Sequence, residues 1–209
     1  GGFGPGYNME EQEPTPITHF LFDLETLGLR EDSAILSIGV VPFTFESNAT
    51  YEELVENGIH LKLAVGPQIK AGRVVDKKTM EWWKSQGDEA KWILEPSADD
   101  IHPLNSLKIV AGFLRARGQN IEKSWMWSRG NAFDFGKIEH LYDQYDISMP
   151  FVSFMERDIR TMVDCYCGTH RGKIEAIRPQ PGFVKHNALH DAASDAAKMI
   201  EIYQAMLAD

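Results

Sequence analysis

Two carboxylates end an apolar stretch near the start of the chain. In His19-Phe20-Leu21-Phe22-Asp23-Leu24-Glu25-Thr26 the residues before the acids read as a strand, and in a strand side chains i and i+2 share a face. Asp23 and Glu25 therefore face one small site at the strand's end, while Leu21 and Phe22 anchor it in a core. Two like charges that close repel, and burial strengthens the repulsion. A hard divalent cation relieves it, because oxygen ligands suit Mg²⁺ or Mn²⁺. Taken alone, the octet also reads as a strand running into an acidic turn, so the question is whether more acids arrive downstream.

They do. Residues 125–128 form a short strand after a helix, hence parallel to the first, and Asn131-Ala132-Phe133-Asp134 follows. This places Asp134 on the first turn of the next helix, near the carboxyl end of the sheet, where ligand sites collect in such folds. An Asp there also suits the helix macrodipole, by about 0.3–1 kcal/mol. Further on, His186-Asn187-Ala188-Leu189-His190-Asp191 leads into the last helix, with His186 before it and Asp191 in its first turns. Four acids and one His, each at an element end, are what a two-metal phosphoryl hydrolase needs. Two cations about 3.5–4 Å apart hold the attacking and leaving oxygens, and the His takes the water's proton as general base. A rival register pairs His190 with Asp195. It puts His190 inside the helix, about 140° round from Asp195, so His186 with Asp191 is preferred and His190 reads as a surface or supporting residue.

The ordered blocks Asp23-x-Glu25-Thr26, Asn131-x-x-Asp134 and His186-x-Ala188-x-x-Asp191 resemble those of the DnaQ-like 3′→5′ exonucleases of the DEDDh type, within the ribonuclease H-like fold. Glu81-Trp82-Trp83-Lys84 and Trp127-Ser128-Arg129-Gly130 are similar to stretches between the blocks in phage DexA-type exonucleases and mycobacterial-type exoribonucleases. The resemblance implies hydrolysis of single-stranded DNA or RNA from its 3′ end, releasing nucleoside 5′-monophosphates, with two Mg²⁺ or Mn²⁺ ions. Asp23, Glu25, Asp134 and Asp191 would ligate them, Asp23 bridging both, and His186 would be the base. Thr26 and Leu27 would seat the terminal nucleotide, Leu27 by packing on its base. The resemblance also implies a cytoplasmic setting in a bacterium or a phage-infected host. Two other readings remain: a catalytically silent nucleic-acid-binding module of this fold, and a hydrolase of small nucleotide phosphodiesters.

Other residues are candidates on position alone. Trp82 and Trp83 are adjacent and point apart, so one belongs to the core and the other can line the cleft. Arg129 follows a strand near the site and could hold a phosphate. His170, Arg171, Lys173, Arg178 and Lys185 make a basic loop beside the third block, a guide for an anionic strand. Cys165 and Cys167 lack the partners of a zinc site and read as free thiols.

The elements that must position these residues follow from periodicity. Residues 19–26, 34–45 and 59–65 read as three strands with short links, an antiparallel meander. Helices are expected over 76–85, 88–94, 104–117 and 132–145, the last with Phe133, Ile138, Leu141 and Tyr142 inward. A segment at 157–165 favours helix, 168–182 reads as a long loop, and 187–207 is the clearest helix. The sum is an α/β domain: a central mixed sheet, three meander strands plus parallel strands, flanked by helices. At 209 residues, 43% hydrophobic and 25% charged, the chain has globular composition and fits one domain over 17–209. The Gly-rich residues 1–7 read as a tag remnant, Met9 as the native start, and 1–16 as disordered. No apolar run spans a bilayer and no signal peptide opens the chain. The net charge of -10 argues against coating nucleic acid, where phosphate neutralisation dominates, but suits an enzyme that grips only a strand end. Oligomeric state, including a homodimer, is left open.

Overall fold

A computed structural model of the chain describes residues 14–208; the stretch read as a tag remnant lies outside the described residues. Strand β1 (His19–Thr26) is the middle of a five-stranded sheet, ordered β3-β2-β1-β4-β5. It pairs antiparallel with β2 (Ile35–Phe43) along its whole length, Asp23 lying opposite Gly39. On its other side β4 (Met126–Ser128) runs parallel, Phe20 opposite Met126 and Leu21 opposite Trp127. Strand β3 (Ile59–Lys62) pairs antiparallel with β2, and β5 (Glu156–Asp158) parallel with β4.

A central strand is covered on both faces, which is why β1 reads as a near-continuous apolar run rather than an alternation. Phe20, Phe22 and Leu24 pack on one side against Val110 and Leu114 of α5 (Pro103–Ala116) and Ile138 and Leu141 of α6 (Asn131–Gln144). Leu21 and Val41 pack on the other against Ala192, Ala193, Ala196 and Met199 of α8 (Ala188–Ala208). The alanines let α8 come close to the sheet. Gly39 completes the approach: a Cβ there would stand 2.5 Å from the carbonyl carbon and oxygen of Ala188. The first turn of α8 therefore lies directly on β2, opposite Asp23.

The mixed sheet matches expectation, with differences in detail. The meander is interrupted by α1 (Tyr51–Asn57), whose capping box joins Thr50 and Glu53. Its seven residues are too few to show a helical period, although Thr50-x-x-Glu53 was a legible start signal. Strand β3 stops at Lys62, short of the expected 65, and a second short helix, α2 (Gly66–Lys70), follows. Helix α3 (Lys77–Lys84) begins at Asp76, which accepts from the Thr79 amide, and α4 (Asp88–Lys91) continues into a 3₁₀ turn at Trp92–Leu94. Strand β5 was not expected, because three polar residues carry no alternation. The helix favoured there, α7 (Ile159–Cys167), starts after it, capped by Asp158. Phe133, expected inward, is only half-buried, and Phe135 takes the core position instead. Among the described residues no helix is long and apolar enough to cross a membrane.

Candidate active site

Four acids meet where β1 ends. Asp23 and Glu25 point from it toward α8. Strand β4 stops at Ser128 and the chain turns at Gly130, whose φ of 88° favours glycine. Past that turn the Leu24 amide has no ladder partner, and Asp134 Oδ1 on the first turn of α6 accepts from it at 3.3 Å. Asp134 is thus tied to the same strand as the first two acids.

The third block arrives from α8. Asn187 opens the helix: its carbonyl accepts from Asp191 N at 2.8 Å and its Oδ1 from His190 N at 3.0 Å. His186, just before, has a φ of 66°, an unusual left-handed conformation for a histidine. It aims the imidazole into the cleft. Ligand atoms of Glu25, His186 and Asp191 lie within 4.8 Å of one another. The rival pair is engaged elsewhere. His190 Nδ1 accepts from Val184 N at 3.0 Å, and Asp195 accepts two bonds from Arg129, at 2.8 and 3.1 Å.

The electrostatics of this cluster are those of an ion site. Burial, then the charges of Glu25 and Asp134, push the Asp23 carboxyl well above the usual range. Burial and Asp191 raise Glu25. Asp134 is pushed up to about 8, chiefly by burial, and Asp191 to about 7 by burial and Asp195. Burial, with Lys185 adding to it, lowers the His186 pKa and favours the neutral imidazole. Asp23 Oδ2 is buried and has no hydrogen-bond partner among the described residues. Four acids with no ion pair among the described residues, one oxygen unpartnered, and oxygen donors throughout fit hard divalent ions. Arg129 does not supply the missing charge, because its guanidinium is held by Asp195.

Two cavities flank the acids. One, of about 470 Å³, is bounded by Asp23, Asp191, Arg129, Lys173, Lys185 and Lys198. The other, of about 430 Å³, is bounded by Glu25, Thr26, Leu29, Trp82 and Phe133. The tryptophan pair splits between core and cleft. Trp83 is 1% exposed and its Nε1 donates to Thr26 O at 3.0 Å, whereas Trp82 is 42% exposed and meets the His186 ring.

Leu27 does not reach the cleft. A register shift between Glu25 and Thr26 breaks the strand's alternation, and Leu27, 1% exposed, packs with Leu36 and Trp83. Leu29, 79% exposed, lines the cavity where Leu27 was expected. Arg129 lines the cleft, with Nε and Nη2 on Asp195 and Nη1 on the Gly172 carbonyl, so that three of its five N–H donors are engaged by the protein. The basic loop divides. Lys173 and Lys185 border the first cavity, while Arg178 bonds Asn48 away from it. Lys198 was overlooked, although it lies seven residues after Asp191 and so on the same face of α8. Cys165 and Cys167 are free.

A mixed sheet whose middle strand carries the first two acids of such a cluster is the architecture of the DEDDh nucleases, and comparison with known proteins places the chain among them. The family model described as a 3′-5′ exoribonuclease Rv2179c-like domain matches residues 18–203. Over 204 residues the chain is 30% identical to an exodeoxyribonuclease of Enterobacteria phage T4, covering 86% of each protein. Its fold is similar to that of the nuclease domain of 3'hExo, a DEDDh family member bound to rAMP, with a TM-score of 0.57 at 12% identity over 91% of this chain and 93% of that one. It is also similar to E. coli Exonuclease I in complex with a 5cy-dT13 oligonucleotide, with a TM-score of 0.55 at 11% identity over 93% of this chain and 43% of that one. The chain belongs to the Rv2179c-like 3′-5′ exoribonuclease family, and is a 3′-5′ exonuclease of DEDDh type with a ribonuclease H-like fold.

Proposed function

We propose that this enzyme, acting as a single domain over residues 17–209, shortens single-stranded nucleic acid from its 3′ end, releasing nucleoside 5′-monophosphates. Asp23, Glu25, Asp134 and Asp191 would hold two Mg²⁺ or Mn²⁺ ions, and His186 would be the general base. The observation that carries this reading is the buried, unpartnered Asp23 Oδ2 among three further acids of raised pKa, beside a neutral imidazole in an open cleft. Bound divalent cations supply the positive charge that lets these acids ionise together and the Lewis acidity that activates water and the leaving oxygen.

The chain's own groups do the rest. Trp82 stands against the imidazole and fixes its plane, so that one ring nitrogen can take the proton of the attacking water. Thr26, whose carbonyl is held by Trp83, borders the seat of the terminal sugar. Leu29, Phe133 and Trp82 offer the terminal base an apolar wall, and stacking of this kind tolerates any base. This agrees with a family model described as an exoribonuclease and a relative named an exodeoxyribonuclease. The reading covers both RNA and DNA 3′ ends, in the cytoplasm of a bacterium or a phage-infected cell.

The test is a time course on 5′- and 3′-labelled single-stranded RNA and DNA with Mn²⁺. The 5′-labelled strand is expected to shorten one nucleotide at a time, and the 3′ label to appear at once as a mononucleotide. Internal cuts, or unchanged activity in an Asp23→Ala variant, would overturn the assignment.

A further inference from the structure

The two cavities beside the acids differ in character. On the Trp82 side the wall is apolar and Lys78 is its one lysine. On the α8 side three lysines converge: Lys173 and Lys185 from the loop between α7 and α8, and Lys198 from α8 itself. Among the described residues none of the three ammonium groups is in a hydrogen bond or ion pair, although acids are plentiful in a chain of net charge -10.

The loop that carries two of them is pinned at both ends. Near Lys173, Gly172 N donates to Asp164 Oδ1 at 2.6 Å and the Gly172 carbonyl accepts from Arg129. A Cβ on Gly172 would stand 2.7 Å from the Arg160 Cα, so the loop lies flat on α7. Near Lys185, Val184 N is bonded to His190 of α8. The loop is anchored beside Lys173 and beside Lys185, and its ammonium groups are presented on one side of the acids only. A lysine ammonium is a mobile point charge that follows phosphates without reading bases.

We propose that Lys173, Lys185 and Lys198 form a track for the phosphates upstream of the scissile bond, so that the strand enters on the α8 side of the acids and its terminal nucleoside lies on the Trp82 side. The track rests on the exonuclease reading above and adds strand polarity and the residues that enforce it. It gives an acidic protein a local grip on a single strand. Each lysine that neutralises a phosphate of a single strand steepens the salt dependence of binding by about 0.7 in log–log slope. Removing all three ammonium groups therefore flattens it by about 2.

The experiment measures binding apart from cleavage. Fluorescence anisotropy of a 5′-labelled dT12 strand with Mn²⁺ is followed in the Asp23→Asn background, with and without K173A/K185A/K198A, from low to moderate salt. The expected result is a Kd at least tenfold weaker at low salt, a slope flatter by about 2, and recovery of most of both in K173R/K185R/K198R. An unchanged Kd and slope overturn the track. So does a weakening that the arginine variant fails to restore, since charge is then not what the positions supply. Failure of the unmodified enzyme to shorten dT12 would instead strike the exonuclease reading, while the binding comparison still decides the track.

Discussion

The indole of Trp82 stands edge-on to the imidazole of His186, with 4.7 Å between ring centroids and 82° between their planes. One residue comes from α3 and the other from the turn before α8, so this pair bridges the mouth of the cleft between the two cavities. Removing the indole frees an imidazole already held in a left-handed backbone conformation. Trp82→Ala is expected to lower kcat about tenfold through misplacement of the base, while Trp82→Phe keeps most of the rate. Steady-state kinetics on a 5′-labelled oligonucleotide check this; equal rates in both variants and wild type would show the pairing to be incidental.

The raised acids make metal-free stability depend on pH. Asp134 and Asp191 hold protons up to about pH 8 and 7 in the folded chain, whereas an unfolded Asp loses its proton near about pH 4. Between these limits the folded state binds more protons than the unfolded one, so stability falls as pH rises. Below about pH 4 both states are protonated and this penalty is absent. Divalent cations replace those protons. The melting temperature in EDTA is therefore expected to fall from pH 5.5 to pH 8, and the rise produced by Mn²⁺ to be larger at pH 8. Thermal melts at the two pH values test it, and a Mn²⁺ shift larger at pH 5.5 would contradict the ion-site reading.

Asp134→Asn separates charge from geometry. An Asn oxygen can still accept from the Leu24 amide, so the fold is retained while one negative charge is removed. The expected outcome is a metal-free protein more stable than wild type at pH 8, a smaller stabilisation by Mn²⁺, and exonuclease activity reduced at least about 100-fold. Melts and a cleavage assay on one preparation measure all three.

Gly39→Ala tests how α8 is seated. The added Cβ meets the Ala188 backbone at 2.5 Å, and neither main chain can yield without moving the helix that carries Asp191. Overpacking of this kind costs about 1–3 kcal/mol. Urea denaturation should show that destabilisation, with activity falling further than the folded fraction does.

Lys137 is 1% exposed, and its ammonium donates to Leu29 O at 3.1 Å and Phe133 O at 3.2 Å. It ties together two of the apolar residues that wall the Trp82-side cavity, Leu29 and Phe133. Lys137→Met leaves both carbonyls without this donor, at about 1–3 kcal/mol, which loosens the wall, and it also removes a positive charge that favours ionised Asp134. The KM for short oligonucleotides is expected to rise more than kcat falls; a pure kcat effect would count against this positioning role.

The sequence made Asp23, Glu25 and Asp134 legible because their geometry is local: two positions on one strand and one on a helix's first turn. The register of His186 and Asp191 was legible because only that pairing leaves the histidine outside the helix. Long-range partnerships were not. The bond from Arg129 to Asp195 joins residues 66 positions apart, and adjacency could say that Trp82 and Trp83 diverge but not which one the core takes. Leu27 was misplaced because the shift between Glu25 and Thr26 reverses the inside–outside order that alternation assumes. Helix α1 and strand β5 went unseen because seven and three residues span fewer than two full periods of helix and strand, too few for a repeat to show.

The centrality of β1 has a kinetic corollary. A strand bonded on both edges and covered on both faces opens only with the whole molecule, whereas a loop without regular structure opens at far lower cost. Asp23 and Glu25 sit on the former, and Lys173, Lys185 and His186 lie in or at the end of the latter. Amide hydrogen exchange should therefore be slowest along β1 and fastest between α7 and α8. On heating, the enzyme should fall silent while its sheet is still intact.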